Sequence, residues 1–88
     1  MKILFSTALA AFAAAIQTPL IIDTDLGMDV DDFGAVCLAN ELMTLGEADI
    51  LAIVTDTGYK LSIGGVSSIN HYYGHDSILL GAYKGPFG

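Results

Sequence analysis

Three short apolar runs, separated by stretches of helical length, constrain the fold of this chain most. Residues 20–22, 50–54 and 78–80 consist of Ile, Leu, Val and Ala and end at polar or glycine residues, which is typical of buried parallel strands. The intervening stretches predict helices over 32–45 and 62–73, stopped by Gly46 and Gly74. The order β-α-β-α-β predicts an α/β fold with a parallel, doubly wound, Rossmann-like sheet.

The first predicted helix carries apolar residues close to the i, i+3, i+4, i+7 spacing and acidic residues at its start. We expect Asp31 or Asp32 at its N-cap. The apolar stripe consists of Phe33, Val36, Cys37, Ala39, Leu42, Met43 and Leu45.

Two histidines, His71 and His75, fall near the end of the second helix, where we expect exposed side chains that complement the helix dipole.

Residues 1–15 have the composition of a secretory signal peptide. Twelve of the fifteen are apolar, Lys2 is the one charge, and Ala13 and Ala15 offer a small-residue cleavage site. The apolar run is short for the roughly 20 residues of a membrane span, so we expect no stable membrane anchor. A buried first helix is the alternative. The prediction is a secreted protein whose mature domain comprises residues 16–88.

Charge and cysteine content exclude several classes of protein. The net charge is −7, from ten Asp and Glu against three Lys and Arg, so a nucleic-acid partner is not expected. The single cysteine, Cys37, cannot form a disulfide within the chain. Exposed edges of a three-stranded sheet favour association, which leaves a homo-oligomer open.

Five aspartates stand within ten residues directly after the first predicted strand, in what we call the acidic segment, residues 23–32. They are Asp23, Asp25, Asp29, Asp31 and Asp32. Like charges at this density repel one another unless a cation or a helix N-terminus compensates. All the donors are hard oxygens, which favours Ca²⁺ or Mg²⁺ over Zn²⁺, and the carboxyl end of a parallel strand is where such folds bind ligands.

Two other classes of acidic site fit this segment less well. In an EF-hand loop counted from Asp23, Met28 would occupy the position that requires glycine. A phosphatase of the haloacid dehalogenase type would use Asp23 as nucleophile and Asp25 as acid, but Gly27 stands where that pattern expects Thr or Val. The phosphatase stays open as an alternative.

The run from Ile21 to Gly27, followed by Asp31-Asp32 and a helix containing alanine, resembles the amino-terminal aspartate signature of the inosine-uridine preferring nucleoside hydrolase family. The resemblance extends more loosely over residues 19–85. It implies calcium-dependent hydrolysis of the N-glycosidic bond of a ribonucleoside, giving ribose and free base. The expected partner is therefore a small nucleoside, and the expected fold is the amino-terminal fragment of a nucleoside hydrolase.

The resemblance also implies roles for the aspartates. Asp25 and Asp32 match calcium ligands, Asp31 matches the general base that activates water, and Asp23 matches a carboxylate near the metal. Asp29 and Val30 are additional to the commoner spacing, so Asp29 is an alternative ligand or base.

Two further departures limit what the resemblance implies. Tyr59 replaces an asparagine that the family has after Gly58, which leaves Asp56 or Thr57 as the alternatives for the ribose contact expected there. Family members are much longer, with further ligands toward their carboxyl ends, so we expect residues 16–88 to hold only part of an active site. A truncated relative that binds calcium without catalysis is the second alternative.

Overall fold

The computed structural model describes residues 16–27 and 29–86, in which three strands alternate with two helices. The elements are β1 (Thr18–Thr24), α1 (Val30–Thr44), β2 (Ala48–Thr55), α2 (Ser62–Tyr72) and β3 (Leu79–Ala82). The strands form one parallel sheet in the order β1-β2-β3. The predicted α/β fold with a Rossmann-like β-α-β-α-β order is confirmed. The predicted signal peptide, residues 1–15, lies outside the described residues.

The sheet register brings the ends of β1 and β2 level with each other. Thr24 pairs with Thr55, and the backbone N–H of Asp56 donates a 3.0 Å hydrogen bond to the Thr24 carbonyl. One irregularity interrupts the ladder, because Leu20 pairs with Ile50 while Ile21 pairs with Ala52, which leaves Leu51 as an extra residue in β2. Strand pairing therefore places the residues after β1 beside those after β2.

Both helices pack on the same face of the sheet. A single hydrophobic cluster joins Val36 and Ala39 of α1 with Val66 and Ile69 of α2, and its members from the sheet and loops are Leu26, Ile50, Ile53 and Ile78. A doubly wound sheet would carry helices on both faces, whereas the described elements cover one. On the other face Ile21 is 70% and Leu79 71% exposed.

Helix α1 begins two residues earlier than predicted and exposes part of its apolar stripe. Asp29 is its N-cap and makes no side-chain capping bond, so the expectation of Asp31 or Asp32 in that role is wrong. Phe33 is 53% and Leu45 63% exposed, whereas Val36 is fully buried. No helix among the described elements has the length and apolar character needed to cross a membrane.

The predicted glycine stop of α1 is confirmed. Gly46 adopts a φ of 77°, its N–H donates to the Met43 carbonyl, and the N–H of Glu47 donates to the Leu42 carbonyl. This arrangement is a Schellman motif, whose left-handed residue favours glycine because a Cβ atom would be strained there.

Candidate metal and catalytic site

The acidic segment leaves the sheet at the end of β1 and enters the first turn of α1. Gly27 has a φ of 145°, and a Cβ atom at this position would run into the ring of Tyr59. The segment and the loop after β2 are thus in contact. The position requires glycine for both conformation and space. The ring of Tyr59 packs on this turn.

Asp25 and Asp32, the two predicted calcium ligands, are brought together. The side-chain hydrogen bond that Asp25 makes to the Asp32 carboxyl raises the pKa of Asp25, and Coulomb repulsion from Asp32 raises it further. Such a shift is expected when two carboxyl groups share one proton. When both groups are ionised they repel each other, and a cation between them would offset that repulsion.

Asp32 is the member of this pair that is held in its charged form. The hydroxyl of Thr24 donates a 2.6 Å hydrogen bond to Asp32 Oδ2, and the backbone N–H of Asp25 donates a 2.9 Å hydrogen bond to the same oxygen. The bond from Thr24 first, and then the bonds from Asp25, lower the pKa of Asp32. Donors that stabilise a carboxylate favour its ionised form.

Asp31, the predicted general base, lies beside Asp29, the predicted alternative to it. The side-chain hydrogen bond to Asp31, followed by Coulomb repulsion from Asp31, raises the pKa of Asp29. The two side chains project from the N-cap and the first turn of α1. The structure therefore places two acidic pairs on the segment, with Asp25 facing Asp32 and Asp29 facing Asp31.

Asp23 contacts a residue after β2 that the sequence offers only as a substitute contact to ribose. Its side chain hydrogen-bonds Asp56, and this contact, together with burial and repulsion from Asp23, raises the pKa of Asp56. Asp56 follows β2 directly, as Asp25 follows β1. The sequence signal that identifies Asp56 is its position at the carboxyl end of the neighbouring parallel strand.

The side chains of Asp25 and Asp32 offer hard oxygen donors, which are the ligands that Ca²⁺ prefers. Ca²⁺ takes six to eight oxygen ligands, and the pair Asp25 and Asp32 offers carboxylate oxygens only. Within residues 16–27 and 29–86, no three His, Cys, Asp or Glu side chains converge as a metal-holding group. The residues present therefore offer a pair of carboxylates to a cation rather than a complete set of ligands. Two further pairs, Asp23 with Asp56 and Asp29 with Asp31, belong to the same group of aspartates.

An apolar groove of about 440 Å³ lies between the two helices, and the described residues that line it include no aspartate. Leu26 of the acidic segment contributes to one part of its wall, and the other lining residues are Phe33, Cys37, Gly65, Ser68, Ile69, Tyr72 and Tyr73. The sequence placed Cys37 in the helix core, and its side chain is half-buried here as a free thiol.

His75 differs from the exposed side chain that the sequence predicts. It is half-buried and its Nδ1 lies 2.7 Å from Asn40 Oδ1, whereas His71 is exposed and lies 2.9 Å from Asp76. Neither histidine contacts the aspartate pairs through a hydrogen bond among those described.

Comparisons of the chain with protein-family models, with curated proteins and with solved structures give no match.

Proposed function

We propose that this chain forms the amino-terminal part of a calcium-dependent hydrolase that cleaves the N-glycosidic bond of ribonucleosides and releases ribose and free base. The observation that carries the proposal is the facing pair Asp25 and Asp32 at the carboxyl end of β1. This end of a parallel strand is the usual position of a ligand site in an open α/β sheet. The resemblance of the acidic segment to the nucleoside hydrolase signature supplies the reaction.

Asp25 and Asp32 would hold the calcium ion, and Asp23 and Asp29 are the neighbouring carboxylates that could add to them. When bound, Ca²⁺ supplies positive charge that orients a water molecule and the ribose hydroxyls. The all-oxygen donor pair supports this choice of ion. The remaining ligands would come from water, from substrate and from protein groups beyond this pair.

Asp31 is proposed as the general base. Its carboxylate takes a proton from the attacking water as the water oxygen bonds to C1′ and the C1′–N bond breaks, through an oxocarbenium-like transition state. The side chain of Asp31 lies beside that of Asp29 at the start of α1. Asp29 is the alternative base. The electron pair of the C1′–N bond leaves with the base.

The proposal includes secretion after removal of residues 1–15. Its support is the composition of that segment, with its basic start, apolar run and small-residue end. Sequencing the amino terminus of the protein recovered from the growth medium tests it. A mature protein beginning at or near Ile16 is expected, and a protein retained in cells with Met1 intact would contradict it.

One observation favours a second candidate function, that of a truncated relative of the nucleoside hydrolases that binds calcium without catalysis. Within the described part of the chain the carboxylates form pairs and no larger metal-holding group. Such a protein would bind calcium through Asp25 and Asp32 and turn over no nucleoside.

The test is ribose release from inosine by the protein encoded by the complete reading frame that contains residues 1–88, with calcium or with a calcium chelator. Calcium-dependent release supports the hydrolase. Calcium binding without release supports the non-catalytic relative. Hydrolysis of p-nitrophenyl phosphate with Mg²⁺, together with no release from inosine, would overturn the proposal in favour of the phosphatase with Asp23 as nucleophile.

A further inference from the structure

Thr24, the last residue of β1, connects the sheet to the first turn of α1 through its hydroxyl group. The residue is 4% exposed. Its Oγ1 donates to Asp32 Oδ2 at 2.6 Å and accepts a 3.1 Å hydrogen bond from the backbone N–H of Leu26. An ionised carboxylate only accepts and a backbone N–H only donates, so the direction of both bonds is fixed. The short distance to Asp32 is typical of a hydroxyl bound to a charged oxygen.

Two hydrogen bonds to Asp32 Oδ2 join the end of the acidic segment to its beginning. Thr24 and Asp32 are eight residues apart, and the backbone N–H of Asp25 donates to the same Asp32 oxygen at 2.9 Å. The first turn of α1 is thereby tied to the end of β1. The branched Cβ atom of threonine restricts χ1, so the buried side chain aims its hydroxyl in one direction.

We propose that Thr24 is a positioning residue that holds the Asp32 carboxylate opposite Asp25 before a cation binds. This inference rests on the proposed function for the identity of the cation. Repulsion between the two ionised carboxylates favours rotamers that separate them, and the hydroxyl of Thr24 opposes that separation. A carboxylate that is already ordered loses less conformational entropy when a ligand binds, so its affinity is higher.

The register of the sheet provides a matched control. Thr55 pairs with Thr24, ends β2 as Thr24 ends β1, and is 2% exposed. Its hydroxyl lies 3.5 Å from the Gly81 carbonyl. Thr24→Val and Thr55→Val therefore remove the same atom from equivalent buried positions. Thr24→Ser keeps the hydroxyl and tests whether that group carries the effect.

The first measurement is amide hydrogen exchange of the calcium-free full chain by NMR. We expect Thr24→Val to speed exchange at the Asp25 and Leu26 amides by about tenfold or more, and Thr24→Ser and Thr55→Val to leave both near the wild-type rate. Unchanged exchange at both amides in Thr24→Val would overturn the proposed role of Thr24. If Thr24→Val fails to fold, the serine variant decides, because faster exchange at these amides in Thr24→Ser would also contradict the role of the hydroxyl.

The second measurement is calcium binding by calorimetry with the same variants. We expect Thr24→Val to weaken affinity by about 10- to 100-fold, as is typical for loss of a group that orients a ligand, with Thr24→Ser and Thr55→Val within about threefold of wild type. Equal affinities for Thr24→Val and Thr55→Val would overturn the positioning role. A wild-type chain that binds no calcium but shows the predicted exchange pattern would overturn the calcium proposal and support the positioning of Asp32 by Thr24.

Discussion

The buried side chain of Asn40 on α1 donates a 2.9 Å hydrogen bond from Nδ2 to Asn70 Oδ1 on α2. The same nitrogen donates to the Val36 carbonyl at 3.0 Å, and Asn40 Oδ1 lies 2.7 Å from His75 Nδ1. Because Asn40 Oδ1 accepts, His75 carries a proton on Nδ1. One side chain thus connects both helices and the loop before β3.

Asn40→Ala should lower the free energy of unfolding by about 1–3 kcal/mol, because it leaves the buried Asn70 and the half-buried His75 without this partner. Thr44→Val is the matched control, since Thr44 is exposed and its Oγ1 lies at the longer distance of 3.4 Å from His75. The control should stay within about 0.5 kcal/mol. Urea unfolding measures both. Equal effects of the two substitutions would contradict the importance of the Asn40 network.

The two faces of the sheet should respond differently to the loss of an isoleucine. Ile53 is fully buried under the helices, whereas Ile21 on the neighbouring strand is 70% exposed on the other face. Ile53→Ala should cost about 2–5 kcal/mol of the free energy of unfolding, and Ile21→Ala about 0.5 kcal/mol. Denaturant unfolding decides. A large loss from Ile21→Ala would mean that this face is covered in solution.

Asp25→Asn should raise the melting temperature of the calcium-free chain and weaken calcium binding. The substitution removes one of two facing charges, whose hydrogen bond and repulsion raise the pKa of Asp25. The gain should shrink at high salt, because salt screens exposed charges. Glu47→Gln, an exposed carboxylate outside the acidic segment, is the control and should change neither property. Unchanged melting and calcium affinity in Asp25→Asn would contradict the pairing with Asp32.

Asp23→Asn should lower the pKa of Asp56 toward its ordinary value of 3.8, since the side-chain hydrogen bond to Asp23 is the largest cause of its elevation. A carboxyl group with a raised pKa in the folded state stabilises the fold below the unfolded pKa, and this contribution is lost as pH rises through the folded pKa. Asp23→Asn should therefore be more stable than wild type at about pH 7, with a smaller difference at about pH 3. Titration of the Asp56 carboxyl carbon by NMR measures the shift, and an unchanged midpoint would refute the pair.

Much of the fold was predictable because hydrophobic periodicity is local. The runs at 20–22 and 50–54 lie inside β1 and β2, and the glycine at 46 ends α1 as expected. The start of α1 was not predictable in this way. The sequence predicts Asp31 or Asp32 at the N-cap, but Asp29 occupies that position, and the Asp32 carboxylate accepts hydrogen bonds from the hydroxyl of Thr24 and the N–H of Asp25.

The site was predictable as a group of residues but not as a set of contacts. The sequence places five aspartates at the end of β1 and just beyond it, and in the structure the N–H of Asp25 donates to the Asp32 carboxylate. The partner of Asp23 comes from the end of β2, and that contact depends on strand pairing that no local pattern contains. His75 was missed for a similar reason, since its partner Asn40 lies on the other helix.

The most direct measurement of the central claim is the turnover of inosine by the complete reading-frame protein, wild type against Asp31→Asn, at saturating calcium. Loss of a general base should reduce kcat by about 10²–10⁴-fold, with calcium affinity unchanged because Asp25 and Asp32 remain. Asp29→Asn in parallel tests the alternative base. Calcium-dependent release of ribose that falls in Asp31→Asn is the predicted result. No release by the wild-type protein, or wild-type kcat in both variants, would contradict hydrolysis at this segment.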